Sequence, residues 1–165
     1  MRVGLADDLA LFVEIDPATG RILRSAGVTP KISPVRGYSV TLPPGSAAPS
    51  VSVTALKHKI VYSRINGATR IAGFADFTGF DTSADDQRIG MLSQIAEQFA
   101  PQAAQYDAAE AKTWGGFRPM TPDGRPLVGA TKVPGLFVNV GHGMLGWTLA
   151  CATARDAAQA VAGVR

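Results

Sequence analysis

The chain has 165 residues, of which 46% are hydrophobic and 18% charged, and its formal net charge is +3. This composition excludes a disordered chain, and the length suits one domain with a real hydrophobic core. The positive charge is scattered, and no basic run alternates with aromatic residues. We therefore predict no nucleic-acid partner.

The single cysteine, Cys151, cannot form an intramolecular disulfide, which is typical of a reducing compartment. Its apolar helical surroundings predict a small buried hydrophobe, with a reactive thiol as the alternative. No apolar run approaches the ~20 residues of a membrane span, and the N-terminus lacks a signal-peptide pattern. We expect a cytoplasmic protein without a transmembrane segment, and peripheral attachment at the inner membrane stays open.

Runs of β-branched and aromatic residues predict five strands, over residues 11–15, 35–42, 60–65, 69–77 and 136–140. Asn66-Gly67 stands between two of these runs and predicts a β-hairpin with a two-residue turn. Segment 43–50 has the proline, glycine and serine content of a loop.

Two helices are predicted. The first begins at Ser83, where Asp86 completes a capping-box pattern, and it ends before Pro101. The second is rich in alanine and runs from about Leu145 to Ala162, with Gly163 as its stop. Strands mostly in sequence with two helices among them predict an α+β fold, an antiparallel or mixed sheet covered by helices.

Gly141, Gly143 and Gly146 form a GxGxxG pattern between a predicted strand and a predicted helix. A dinucleotide-binding unit also needs a second parallel strand and an acidic residue about 20 positions further on, and the chain ends at Arg165. We therefore reject that interpretation. The glycines still permit close approach to a ligand, and the helix start offers unpaired N–H groups to an anion. A tight turn without any ligand is the alternative.

Arg118 lies in the segment Gly115-Gly116-Phe117-Arg118-Pro119. Its guanidinium offers a planar fork of donors that suits a carboxylate. The alternative is an arginine that extends along the surface or pairs with Asp123. The only histidines, His58 and His142, have no companion ligands, so we predict no metal site.

Two C-terminal segments, GFRPMTPDGRPLVG and LFVNVGHGMLGWTLACATA, resemble the C-terminal part of FAD-dependent D-amino acid dehydrogenases. These enzymes belong to the wider group of D-amino acid, glycine and sarcosine oxidases. Upstream, PVRGYSVTL and KIVYSRINGATRIAGFADFTGFD resemble the same family in the same order. The resemblance covers about residues 26–163. It implies the substrate-binding half of that fold together with the C-terminal strand, turn and helix of its FAD domain.

The resemblance also implies the site. Arg118 grips the substrate carboxylate, the Met144 carbonyl accepts a hydrogen bond from the substrate amine, and His58 lies near where many relatives have a tyrosine. The implied cofactor is FAD, contacted by Gly141, His142, Gly143, Met144, Leu145, Gly146, Trp147 and Thr148. No side-chain catalytic residue is implied, because the flavin carries the chemistry.

The implied reaction is oxidative deamination of a D-amino acid by hydride transfer from its α-carbon to flavin N5. A quinone-type electron acceptor and a separate N-terminal FAD-binding portion are the further expected partners. Residues 1–25 do not fit the family, so we divide the chain into 1–25, 26–113 and 114–165 and expect weak FAD binding by this chain alone. A non-catalytic remnant or interaction module and a glycine- or sarcosine-type amine oxidase are the alternatives.

Overall fold

A computed structural model describes residues 2–6, 9–13 and 19–163. Two compact units are present: Arg36–Gly116, here called the central unit, and the described residues up to Val35 together with those from Phe117 onward, called the terminal unit. The terminal unit thus includes residues 26–35, which the sequence grouped with the segment up to 113. The three-part division of the chain stays a prediction.

The elements follow in chain order: β1 (Arg2–Ala6), β2 (Leu9–Val13), α1 (Thr19–Ser25), β3 (Ser33–Leu42), β4 (Val53–Ala55), β5 (Ile60–Ile65), β6 (Ala68–Asp76), α2 (Asp85–Phe99), β7 (Lys112–Met120), β8 (Leu127–Ala130), β9 (Leu136–Val140) and α3 (Gly146–Ala162). A single 3-10 turn over Gly143–Leu145 precedes α3. This mixture of antiparallel sheet and helices confirms the α+β prediction. Residues 14 and 15 of the first predicted strand lie outside the described residues.

The central unit is built on the sheet β4-β5-β6-β3-β7, in which β4, β5, β6 and β3 pair antiparallel. Its buried face is apolar and packs against α2, with Tyr38, Tyr62, Ile71, Leu92 and Ala96 in one cluster. Side chains alternate between the two faces of a strand, so the intervening residues lie on the face opposite α2.

The hairpin predicted at Asn66-Gly67 is confirmed. Strands β5 and β6 pair antiparallel up to Ile65 and Ala68, and only these two residues join them. Both have positive φ, 51° for Asn66 and 81° for Gly67, as a type I′ turn requires.

The predicted start of α2 is wrong in its details. The helix begins at Asp85, and Ala84 precedes it without a side-chain cap. The Ser83 N–H donates to Asp81 Oδ1 at 2.8 Å instead, so the capping box does not form. Asp85, the first residue of the helix, pairs with the buried Arg36.

The terminal unit has a mixed sheet in the order β1-β2-β9-β8. Strand β9 pairs parallel with β2 and antiparallel with β8, and all five of its residues are buried. On one face of β9, Val138 and Val140 pack with Leu23 of α1. Helix α3 contacts β8 and β9.

Helix α3 begins one residue later than predicted and ends at Ala162 as predicted. Only Thr153 and Ala157 of this helix are buried. Cys151 is exposed, which contradicts the prediction of a buried side chain, because it lies off the narrow stripe that faces the sheet. In the described part of the chain, no helix is long and apolar enough to span a bilayer.

Candidate functional site

The end of β7 lies against the glycine-rich turn that follows β9. Met120 and His142 form an isolated antiparallel backbone bridge. The Met120 thioether occupies the position that a Cβ at Gly143 would take. Because alternate residues of a strand share a face, Arg118 points to the same side of β7 as Met120, about 7 Å along the strand. Arg118 and the turn at Gly143 therefore belong to one neighbourhood of the terminal unit.

Glycine is required twice in this turn. Gly141 has φ of 81°, and a Cβ there would lie 2.8 Å from Cγ2 of Thr121. Gly143 has φ of 55° and meets Met120 as described above. The sequence predicted close backbone approach at these glycines, and the nearest atoms are those of the protein's own Met120 and Thr121.

The start of α3 is exposed and has no side-chain cap, either at Leu145 or at the preceding 3-10 turn. Three large apolar side chains surround it, Met144, Leu145 and Trp147, with 69%, 51% and 96% of their surface exposed. Uncapped N–H groups at a helix start carry a partial positive charge. An exposed apolar cluster of this kind is a candidate binding surface.

Asn139 is a buried polar residue at the end of β9. Its Oδ1 is buried and has no hydrogen-bond partner among the described residues. A buried acceptor without a partner is costly, so such an atom indicates a missing donor. It lies two residues before Gly141.

His142 connects the turn to α3. Its Nε2 lies 3.1 Å from Oγ1 of Thr153, whose hydroxyl also donates to the Leu149 carbonyl at 3.1 Å. The roles of donor and acceptor between Nε2 and this hydroxyl follow the tautomer of the ring. Burial lowers the pKa of His142, which favours the neutral ring.

Burial lowers the pKa of the Arg118 guanidinium as well. A guanidinium remains charged in any protein, so its partial burial strengthens its attraction for a carboxylate. The carboxylate of Asp123, the alternative partner in the sequence analysis, accepts a hydrogen bond from the backbone N–H of Arg125 at 3.1 Å, and this bond lowers the Asp123 pKa.

His58 belongs to the central unit, and its ring packs against Phe99 at a centroid distance of 5.5 Å. Its role as a substrate contact stays a prediction. Among the residues that the structure describes, no three His, Cys, Asp or Glu side chains form a group that could hold a metal ion.

Sequence reasoning missed Met120, Thr153 and Asn139. Alternation along β7 would have indicated Met120, two residues after Arg118. No local signal indicates Thr153 or Asn139, because their significance comes from a contact across elements and from burial.

The model of the DAO family, described as FAD dependent oxidoreductase, matches residues 16–160. The chain belongs to this family of FAD-dependent oxidoreductases, which confirms the resemblance. The match begins within segment 1–25, so the statement that this segment does not fit the family was too broad.

Among known proteins, the chain is similar to a D-amino acid dehydrogenase of Vibrio vulnificus (strain YJ016), with 39% identity over 86% of this chain and 34% of the relative. A D-amino acid dehydrogenase of Paramagnetospirillum magneticum is 41% identical over the same shares. The chain thus spans about a third of the length of these relatives.

Two solved structures are similar in fold. Glycine oxidase from Geobacillus kaustophilus superposes with a TM-score of 0.70 at 27% identity, over 90% of this chain and 40% of that chain. Iminodiacetate oxidase from Chelativorans sp. BNC1 superposes with a TM-score of 0.72 at 22% identity, over 97% and 48% respectively. The second likeness concerns the fold alone.

Proposed function

We propose that the terminal unit forms the flavin-facing and carboxylate-binding part of a D-amino acid dehydrogenase. The observation that carries the proposal is the apposition of Met120 and Gly143. It brings the strand that bears Arg118 to the turn that opens α3, so one ligand-binding surface has both a cation and helix-start amides.

The residues at this turn suit the isoalloxazine ring of FAD. The ring is flat and largely apolar, and its pyrimidine edge gains negative charge on reduction. The exposed Met144, Leu145 and Trp147 suit the apolar part, while the N–H groups at the start of α3, which no side chain caps, suit the charged edge. The unpartnered Oδ1 of Asn139 supplies an acceptor close in sequence to the same turn. Gly141, His142, Gly146 and Thr148 complete the proposed contact set.

The substrate is held by groups of this chain. Arg118 forms a bidentate pair with the carboxylate, and the Met144 carbonyl accepts a hydrogen bond from the amine. These two contacts fix the α-carbon and its hydrogen in one orientation, which supplies catalysis by positioning. When bound, FAD would supply the acceptor for the hydride of that α-carbon.

The relatives named D-amino acid dehydrogenase, at 39% and 41% identity, support this substrate class. The glycine oxidase of similar fold, at 27% identity, supports a second candidate, an oxidase of glycine or a related amine. The third candidate is a non-catalytic remnant or an interaction module.

The test uses the ¹⁵N-labelled chain and two flavins. FMN has the isoalloxazine but lacks the ADP half of FAD. We expect FMN to shift the amide resonances of residues 143–148 saturably, and FAD to bind no more than about tenfold tighter if this chain has no site for the ADP half. Flavin binding that leaves these resonances unchanged would remove the turn from the proposal.

Two glycine variants provide the matched comparison. Gly143→Ala adds a Cβ where Met120 lies and should abolish the FMN shifts. Gly90→Ala adds a Cβ in open space on α2 and should leave them intact. If Gly143→Ala fails to fold, Gly143→Ala combined with Met120→Ala removes the clash and permits the same measurement.

The substrate class is tested on the FMN-loaded chain. D-Alanine should shift the Arg118 side-chain resonance, and Arg118→Met should remove the effect while FMN binding persists. A stronger response to glycine or sarcosine than to D-alanine would favour the amine-oxidase candidate. No response to any of these amines would favour the non-catalytic candidate.

A further inference from the structure

The terminal unit contains a cavity of about 600 Å³, within the size range of small-molecule sites. Its floor is aliphatic, because Leu23, Val138 and Val140 line it and form one buried hydrophobic cluster. All the described residues that line the cavity belong to the terminal unit. Neither Arg118 nor any of the proposed flavin contacts is among them. The proposed function therefore leaves this cavity unused.

The end of α1 forms one wall of the cavity. Gly27 follows the helix with φ of 81°, and the N–H of Val28 donates to the Leu23 carbonyl at 2.8 Å. The Gly27 N–H donates to the Arg24 carbonyl at 3.0 Å. These two bonds are those of a Schellman motif, which folds the chain back on its helix. Val28 thereby packs on the cluster that contains Leu23 and lines the cavity.

Two exposed lysines, Lys31 and Lys132, also line the cavity and form its rim. Lys31 is the central residue of a tight turn, in which its two neighbours share a backbone hydrogen bond of 3.0 Å. Lys132 is central in a second turn, where the Val133 N–H donates to the Thr131 hydroxyl at 3.1 Å. The backbone of each lysine is thus held in place, and only the side chain has to be ordered when a ligand binds.

The rim has an excess of positive charge. Asp123 is the only acidic residue among the described lining residues, and its carboxylate accepts a hydrogen bond from the Arg125 N–H at 3.1 Å. Within the part of the chain that the structure describes, neither lysine ammonium has an ion-pair or hydrogen-bond partner. Two lysines against one aspartate leave one net positive charge, which suits a monoanion better than a phosphate dianion.

The lining also indicates what kind of body the anion has. No aromatic side chain is among the described residues around the cavity, so a flat ring finds no stacking partner there. The apolar lining consists of valine, leucine, alanine and proline side chains. A hydrocarbon chain can bend along such a surface, and each CH₂ group that it buries tightens binding about fourfold.

From this arrangement we propose that the cavity binds an aliphatic monocarboxylate. The hydrocarbon chain lies against Val28, Val138 and Val140, and the carboxylate is held at Lys31 and Lys132. The site requires neither FAD nor Arg118, so its failure would leave the proposed function untouched.

The experiment is an NMR titration of the 165-residue chain, labelled with ¹³C in its leucine and valine methyl groups. Decanoate, kept below its micelle concentration, is the probe. We expect saturable shifts in the methyl resonances of the floor and wall residues, which are Leu23, Val28, Val138 and Val140. The methyl groups of Leu145, on the exposed start of α3, should not shift. Shifts centred on Leu145 would place decanoate on that exposed surface and overturn the proposal.

Two further probes test the chain and the charge of the ligand separately. Octanoate is shorter by two CH₂ groups and should bind about fifteenfold weaker. Decylammonium has the same chain as decanoate with a positive group and should bind about tenfold weaker. If either probe binds as tightly as decanoate, the proposal is wrong.

Charge-reversal variants provide the matched comparison. Lys31→Glu combined with Lys132→Glu should make decylammonium bind more tightly than decanoate. Arg24→Glu combined with Arg125→Glu is the control, because it reverses two exposed charges of the same unit that do not line the cavity. The control should keep the preference for decanoate. Retention of that preference in the lysine variant, or its loss in the control, would overturn the role of the rim. An unchanged Leu92 methyl resonance checks that the central unit is folded.

Discussion

His142 attaches the glycine-rich turn to α3 through a hydrogen bond to Thr153. The ring is hydrogen-bonded to Thr153 and is partly buried, and burial lowers its pKa below the ordinary value of 6.5. Protonation would place a charge in a poorly solvated position beside the candidate flavin contacts.

The consequence is a pH-dependent stability with a defined sign. Between the lowered pKa of folded His142 and 6.5, the unfolded chain binds more protons than the folded chain, so stability rises with pH. The stabilising contribution is fully present above 6.5 and is lost as the pH falls towards the folded pKa. Urea unfolding at about pH 7.5 and pH 5.5 should give a lower midpoint at the acidic pH.

His142→Gln, which keeps a side chain able to hydrogen-bond to Thr153, should flatten this dependence over the same window. An unchanged slope in that variant would assign the pH dependence to other groups. Because carboxylates titrate mainly below about pH 5, the chosen window leaves most of their contribution out.

At the scale of elements, α2 is attached to the sheet by an ion pair with a buried arginine as well as by its apolar side chains. Arg36 of β3 is 7% exposed and pairs with Asp85 in the first turn of α2 through two hydrogen bonds. Gly115 of β7 lies against this pair and leaves room for it. This ion pair, and not the predicted serine cap, lies at the start of α2.

Removing Asp85 takes away both hydrogen bonds that its carboxylate accepts from the Arg36 guanidinium. We expect Asp85→Ala to lower the free energy of unfolding by about 3 kcal/mol, since hydrogen bonds to charged groups are among the stronger ones. Asp86→Ala is the control, because Asp86 is an exposed acidic residue in the same helix turn and should cost at most about 1 kcal/mol. Equal losses in urea titrations of the two variants would mean that the helix dipole, not the buried pair, is responsible.

At the scale of the whole molecule, the two units have separate hydrophobic clusters. One surrounds Tyr38, Tyr62 and Leu92 in the central unit, and the other surrounds Leu23 and Val140 in the terminal unit. No residue belongs to both clusters. A loss of packing in one cluster should therefore act first on its own unit.

We expect Leu92→Ala, at a fully buried position, to cost about 2–5 kcal/mol and to speed amide hydrogen exchange mainly over residues 36–116. Leu56→Ala, at a position with 78% exposure, should leave exchange nearly unchanged. Equal acceleration in β8 and β9 after Leu92→Ala would show that the two units unfold together.

How well the sequence predicted an element depends on how far apart in the chain the residues that stabilise it are. The hairpin at Asn66-Gly67, strand 136–140 and the alanine-rich helix were predicted within a residue or two, since turn chemistry and local propensity decide them. Strands β1, β4, β7 and β8 and helix α1 were missed. Glycine and proline interrupt β7, and only pairing within a sheet makes such a segment a strand.

Local sequence alone predicted a glycine-rich turn over residues 141–146, a helix that follows it, and a cation before it at Arg118. Tertiary structure decided what those residues face. It set Met120 on Gly143, turned His142 towards Thr153, replaced the Ser83 cap with a buried ion pair, and left Cys151 exposed. The reason is physical: φ preferences and helix propensity act over a few residues, whereas burial and pairing depend on chain segments far apart in sequence.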